Sequence, residues 1–176
     1  NVNVSFSKKI YRFNLRFNTN FSWFTYFQTL NNTETLNDRN NQRLGVVLRT
    51  AHKKWPGFSI GYNKGFSQFS GLTQSQFQTD AITSDFDITV AKFWTFKCSY
   101  ENLKNTNSNK QSNFYDIANT SLRYQKKNSP FGFELIANNL FDNKVKNDFS
   151  FSDYLISQRT TFVLPRVFML SVSYKL

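Results

Sequence analysis

Apolar and polar residues alternate with a period of two along most of this chain, the repeat of a strand with one face buried. The clearest run spans residues 12–28. Phe13, Leu15, Phe17, Thr19, Phe21, Trp23, Thr25 and Phe27 fall on one face. Arg12, Asn14, Arg16, Asn18, Asn20, Ser22, Phe24, Tyr26 and Gln28 fall on the other. A helix repeats every 3.6 residues and cannot give this pattern. The run is also longer than the 9–11 residues a strand needs to cross a bilayer, so its far part is expected to stand clear of one. The same alternation recurs over 2–7, 44–49, 58–63, 85–90, 94–101, 118–124, 131–138 and 168–176. About nine antiparallel strands follow, with no helix between them.

The connections sort into two expected kinds that alternate. Short ones lie near Lys8-Lys9, 52–57, Lys92-Phe93 and 126–130, and longer polar ones over 31–42, 70–78, 104–112 and 143–158. Short turns at one end and long loops at the other is the arrangement of an outer-membrane barrel, with the short turns periplasmic. The fold expected is therefore all-β: a meander of transmembrane strands over 1–176, part of a larger outer-membrane barrel, with no separate soluble domain.

Composition changes the picture in one respect. Mean hydropathy is −0.52 and no stretch approaches the 18 apolar residues of a membrane helix. Yet aromatics are 18% of the 176 residues, and 21 of them are Phe. A barrel reconciles the two, because only alternate residues face lipid and the inward ones dilute the mean. The chain opens on Asn1 without a signal sequence, so a leader or a longer N-terminal part is expected to have been removed.

The net charge is +11. Lys8, Lys9, Arg12, Lys53, Lys54, Lys92, Lys126 and Lys127 cluster at the short turns, which predicts a basic periplasmic rim. A single-strand nucleic-acid binder would interleave basic and aromatic residues on one face. Here they mostly avoid each other, so nucleic acid is not an expected partner. The polar faces carry Arg16, Arg43, Arg49, Asp85, Asp87, Lys97, Glu101, Arg123 and Glu134. Of these, Arg16, Arg49, Asp85, Asp87, Arg123 and Glu134 are the candidate lumen-facing residues. Asp85 and Asp87 point the same way and could hold a cation or a cationic part of a substrate. The simpler account is a wet face with basic counter-charges nearby.

Catalytic chemistry has little support. The sequence contains no dinucleotide, P-loop, zinc-protease or C-x-x-C motif. His52 is the single histidine and reads as a rim residue. Cys98, the single cysteine, falls on the apolar face beside Phe96 and Tyr100 and reads as a small hydrophobe. No enzyme activity, cofactor or metal is expected.

The C-terminal third adds a resemblance. Asn138-Asn139-Leu140-Phe141-Asp142-Asn143-Lys144 resembles the N-L-F-[DN] motif on the penultimate strand of TonB-dependent outer-membrane receptors. Residues 165–176, opening Pro165-Arg166 and then alternating, are similar to that family's closing strand. Asn139, Leu140, Phe141, Asp142 and Arg166 carry the likeness. The family usually ends in Phe, whereas this chain ends in Leu176. The resemblance implies nutrient uptake in the cell outer membrane. It also implies contact with lipid and lipopolysaccharide, and TonB and a surface lipoprotein as further partners.

The family's plug and TonB-contacting segment are not among these residues, so the expectation is a receptor's wall. Nine strands would leave the first and last parallel, and an even number closes a barrel more readily. The remaining strands and plug are expected from the same precursor or another chain. Two other classes stay open: a receptor-like barrel acting as a structural or assembly subunit of an outer-membrane complex, and a small autonomous porin or adhesin.

Overall fold

A computed structural model describes residues 1–30, 32–51, 56–71, 74–127, 129–151 and 156–174. The strands are β1 (Val2–Ile10), β2 (Phe13–Leu30), β3 (Thr33–Thr50), β4 (Gly57–Ser70), β5 (Gln74–Val90) and β6 (Trp94–Thr106). They continue with β7 (Ser112–Gln125), β8 (Phe131–Asn138), β9 (Val145–Phe151), β10 (Ile156–Phe162) and β11 (Val167–Tyr174). Nine of them form one antiparallel meander in the order β1-β2-β3-β4-β5-β6-β7-β8-β11, while β9 and β10 form a separate hairpin. The sheet is open: among the described residues β1 and β11 each have one partner. Eight antiparallel pairings make these two edge strands run the same way, as the expected parity required.

Within the described residues each segment read as a strand falls in a strand of the sheet, apart from Arg12, which lies in the first turn, but the loops differ. Most of 31–42 is strand: β2 and β3 pair from Phe13↔Thr50 to Leu30↔Thr33. Similarly, β4 pairs with β5 out to Ser70↔Gln74, and β6 with β7 out to Thr106↔Ser112. Only the last connection, between β8 and β11, is long; it carries the β9–β10 hairpin, which extends past the expected 143–158 to Phe162. The long loops are thus corrected to long strands at that far end. The short turns also shift. The first lies at Tyr11-Arg12, so Lys8 and Lys9 are the last part of β1. At the β5–β6 turn Ala91 and Lys92 both have positive φ (52° and 62°). Three residues, Ala91 to Phe93, lie between the register partners Val90 and Trp94, with the Phe93 N–H donating to the Val90 carbonyl at 3.4 Å. His52, Lys53 and Lys54 lie outside the described residues.

Register sorts the side chains into two faces. Near the short turns one face is apolar: Phe58, Ile60 and Tyr62 in β4, Phe96, Cys98 and Tyr100 in β6, Phe131, Phe133 and Leu135 in β8. This face is uncovered. Leu135 is 55% exposed and Leu170 67%. The opposite face holds Asn18, Asn63, Asp85, Lys97, Ser121 and Glu134.

Further along, the polarity of the two faces exchanges. The face that was apolar now carries Asn40 and Asp38 in β3, Gln68 in β4, Gln78 and Gln76 in β5, and Lys104 in β6. The other face receives Phe24, Tyr26, Phe69, Phe77 and Tyr115. Phe69 and Tyr115 are buried there. In the far half Phe69 and Tyr115 are thus covered, while Trp23 and Phe27 of β2 stay on the first face and are 60% and 75% exposed.

The apolar band also steps across the sheet. Along the ladder, Phe58 is level with Phe86, Cys98, Thr120 and Ala137. The band, however, runs on past that row to Val90 in β5, Tyr124 in β7 and Phe131 in β8. The strands are thus tilted against the band, the stagger that closing a sheet into a barrel requires.

Candidate functional site

The polar face near the short turns gathers the candidate residues. Arg16, Arg49, Asp85, Asp87, Arg123 and Glu134 all project to it. Arg16 pairs in register with Ser7 and Val47, and Arg49 with Asn14 and Ser59. Asp85 lies between Ser59 and Ser99, Asp87 between Gly57 and Lys97. Arg123 lies between Thr95 and Glu134. Alternating carboxylate and cation across neighbouring strands limits like-charge repulsion on a face.

These residues form two groups. Asp85, Asp87, Lys97, Ser99, Asn119 and Glu134 line a concavity of about 640 Å³. Arg16, Arg49 and Arg123 are not in its lining, the first two lying towards β1 and Arg123 beside Glu134 nearer the turn. A larger hollow of about 960 Å³ opens over β1–β5, lined on this face by Asn3, Asn18, Asn20, Asn41, Arg43 and Asn63 among others. Sequence reading passed over this amide-rich half. The signal was present as Asn at alternate positions of residues 14–20, but Asn is so common in the chain that it did not stand out.

Cross-strand hydrogen bonds order the amides. Ser5 Oγ donates to Asn18 Oδ1 at 2.8 Å, Ser7 Oγ to Asn14 Oδ1 at 3.2 Å, and Asn20 donates to Asn3. Glycines make room for side chains lying flat on the sheet. A Cβ on Gly57 would stand 1.9 Å from an Asp87 carboxylate oxygen, and one on Gly45 2.6 Å from Asn63 Oδ1. The mixed-charge hollow thus depends on Gly57 as well as on its charged residues.

At the far end Lys64 Nζ lies 3.9 Å from Asp80, which also accepts from Tyr62 and Gln78 at 2.7 Å each. Lys104 lies opposite Asp80 in register and over the Phe114 ring at 5.2 Å. This charged row marks where the polarity exchanges.

No family model, curated protein or solved structure matches the chain.

The motif residues of the C-terminal third occupy a junction. Asn139 is 2% exposed, with φ 52°. Its Nδ2 donates to the carbonyls of Asn143 and Leu164, both at 2.8 Å, and its Oδ1 accepts from the Asn143 N–H at 3.1 Å. Its own N–H donates to Asn119 Oδ1 at 2.9 Å. Leu140 N–H reaches the Ala118 carbonyl at 2.9 Å, and Phe141 meets the Tyr100 ring edge-on. Asp142 accepts from the backbone N–H of Arg166 at 2.9 Å. So four motif residues tie the end of β8 to β6 and β7, to the base of the hairpin and to the start of β11. Arg166 takes part through its backbone. The hairpin base leans back over the polar face, where Lys146 lies 3.7 Å from Glu101 and over the Tyr115 ring.

Cys98 projects to the apolar face, level with Phe86 and Thr120. Among the described residues no group of three or more His, Cys, Asp or Glu could hold a metal ion.

Proposed function

We propose that the chain is a stretch of the wall of an outer-membrane β-barrel of the TonB-dependent-receptor type. Its apolar band faces lipid, and its polar face lines a passage for nutrient uptake. The observation that carries this reading is the exchange of polarity along the strands. A contiguous apolar face larger than a few hundred Å² marks a protein or membrane contact. A soluble protein partner would explain the near half. It would not explain why the band ends at a charged row on successive strands, with aromatics flanking it at both borders. A bilayer explains both, since it has a fixed thickness and favours Trp and Tyr at its interfaces.

The open edges fit the same reading. Unpaired backbone groups in lipid cost several kcal/mol each, so β1 and β11 need further strands beside them. Those strands come from the same precursor or from another chain. The second case would make this a structural subunit, recognised by stable co-purification of the partner.

Cys98 supplies a built-in test. In outer membranes a water-soluble maleimide should label Cys98 at least tenfold more slowly than the Cys of a Cys98→Ser/Ser99→Cys variant, which moves the thiol to the polar face. Equal labelling of the two would refute the reading.

A further inference from the structure

The short-turn end carries a charge asymmetry that a barrel wall does not require. We propose that this rim binds the headgroups of anionic phospholipids. The proposal rests on the membrane reading and adds a partner to it.

Lys8, Lys9, Arg49, Lys92, Lys126 and Lys127 are exposed at this end. None of the five lysines forms an ion pair with a carboxylate among the described residues. The nearest acidic side chains along their strands, Asp87 and Glu134, lie deeper on the polar face. The far end is mixed by comparison, with Glu34, Asp38, Asp80 and Asp116 among Arg39, Lys64, Lys104 and Lys110. Solubility alone would not segregate the signs.

Two features point the rim at a lipid surface and not at a soluble acidic partner. First, Lys8 is on the apolar face. It pairs with Leu15 and sits between Phe6 and Ile10. A lysine there lays its hydrocarbon stem along the apolar surface and carries its amine to the end of the strand. Second, aromatic pairs lie at the same short-turn end of the strands. The Trp94 and Tyr124 rings are 4.8 Å apart, Phe131 and Tyr174 5.1 Å, and Arg12 lies 4.9 Å from the ring of the exposed Tyr11. Aromatic rings at the end that carries these lysines match the headgroup layer, where hydrocarbon gives way to phosphate.

The test uses the whole protein in phosphatidylcholine nanodiscs containing phosphatidylglycerol, with spin-labelled lipid of either kind. The motionally restricted lipid next to the protein should be enriched in phosphatidylglycerol, roughly three- to tenfold at low salt, and less so as salt rises. The variant Lys8→Gln/Lys9→Gln/Lys126→Gln/Lys127→Gln should fall close to parity. Lys104→Gln/Lys110→Gln, at the far end, should keep the enrichment. Equal restriction of the two lipids by the unmodified protein overturns the proposal while leaving the membrane reading intact. Absence of any restricted lipid overturns both. The salt series on the unmodified protein decides the matter even where the quadruple variant fails to fold.

Discussion

Replacing Asn139 by Ala removes the fastening at the end of β8. Three side-chain hydrogen bonds are lost, two donated to the Asn143 and Leu164 carbonyls and one accepted from the Asn143 N–H. Each is worth about 1 kcal/mol net, and more where a partner is left buried and unpaired. Alanine also tolerates φ 52° less well than asparagine, at a cost of about 1 kcal/mol. The total is about 3–4 kcal/mol. It falls on one region, because the lost bonds hold the hairpin base and the approach to β11. The effect should therefore appear as local opening. Hydrogen exchange of the protein in nanodiscs should show the β11 amides exchanging roughly a hundredfold faster or more, with β3–β5 unchanged. Asn139→Gly separates the contributions, since it relieves the backbone cost and still loses the three bonds. It should recover about 1 kcal/mol. The reasoning fails if Asn139→Ala leaves β11 exchange within about twofold of the original.

Leu135→Arg places a charge on the apolar face and should destabilise the protein in vesicles by about 2–4 kcal/mol, whereas Gln76→Arg, beyond the charged row, should cost under about 0.5 kcal/mol. Urea unfolding of the two variants checks this, and equal costs would remove the basis for two solvents. Phe69→Ala should loosen the far half by about 3–5 kcal/mol and sensitise it to external protease, with membrane insertion unchanged by gel mobility. Loss of insertion would mean that the two halves do not form independently.

The alternation of residues 12–28 shows where side chains point because side-chain period is a local property. Strand ends are harder to see. Residues 34–42 (Glu-Thr-Leu-Asn-Asp-Arg-Asn-Asn-Gln) contain few good strand formers and look like a loop. They are held as strand by their register partners, Phe21 to Thr29 of β2. Strand preference depends strongly on such neighbours, which one sequence does not display. The grouping of Asp85 and Glu134 in one hollow is hidden for the same reason, since it depends on pairings across four strands. The Asn139 motif was visible as a string of letters. Its part as a fastening was not, because its partners Asn119 and Leu164 are far away in sequence.

On the proposed membrane reading, the exchange of polarity along the strands also fixes how deep the wall sits. A uniform apolar face could slide along the membrane normal at little cost, following the thickness of the surrounding lipid. Here a displacement of two residues along β4 and β5, about 7 Å of strand, would carry Lys64 and Asp80 into hydrocarbon. The same displacement in the other direction would lift Tyr62 and Ile82 into water. Both directions are penalised, so the wall acts as a depth gauge. Where the local bilayer is thinner or thicker than the band, it is the lipid that has to deform.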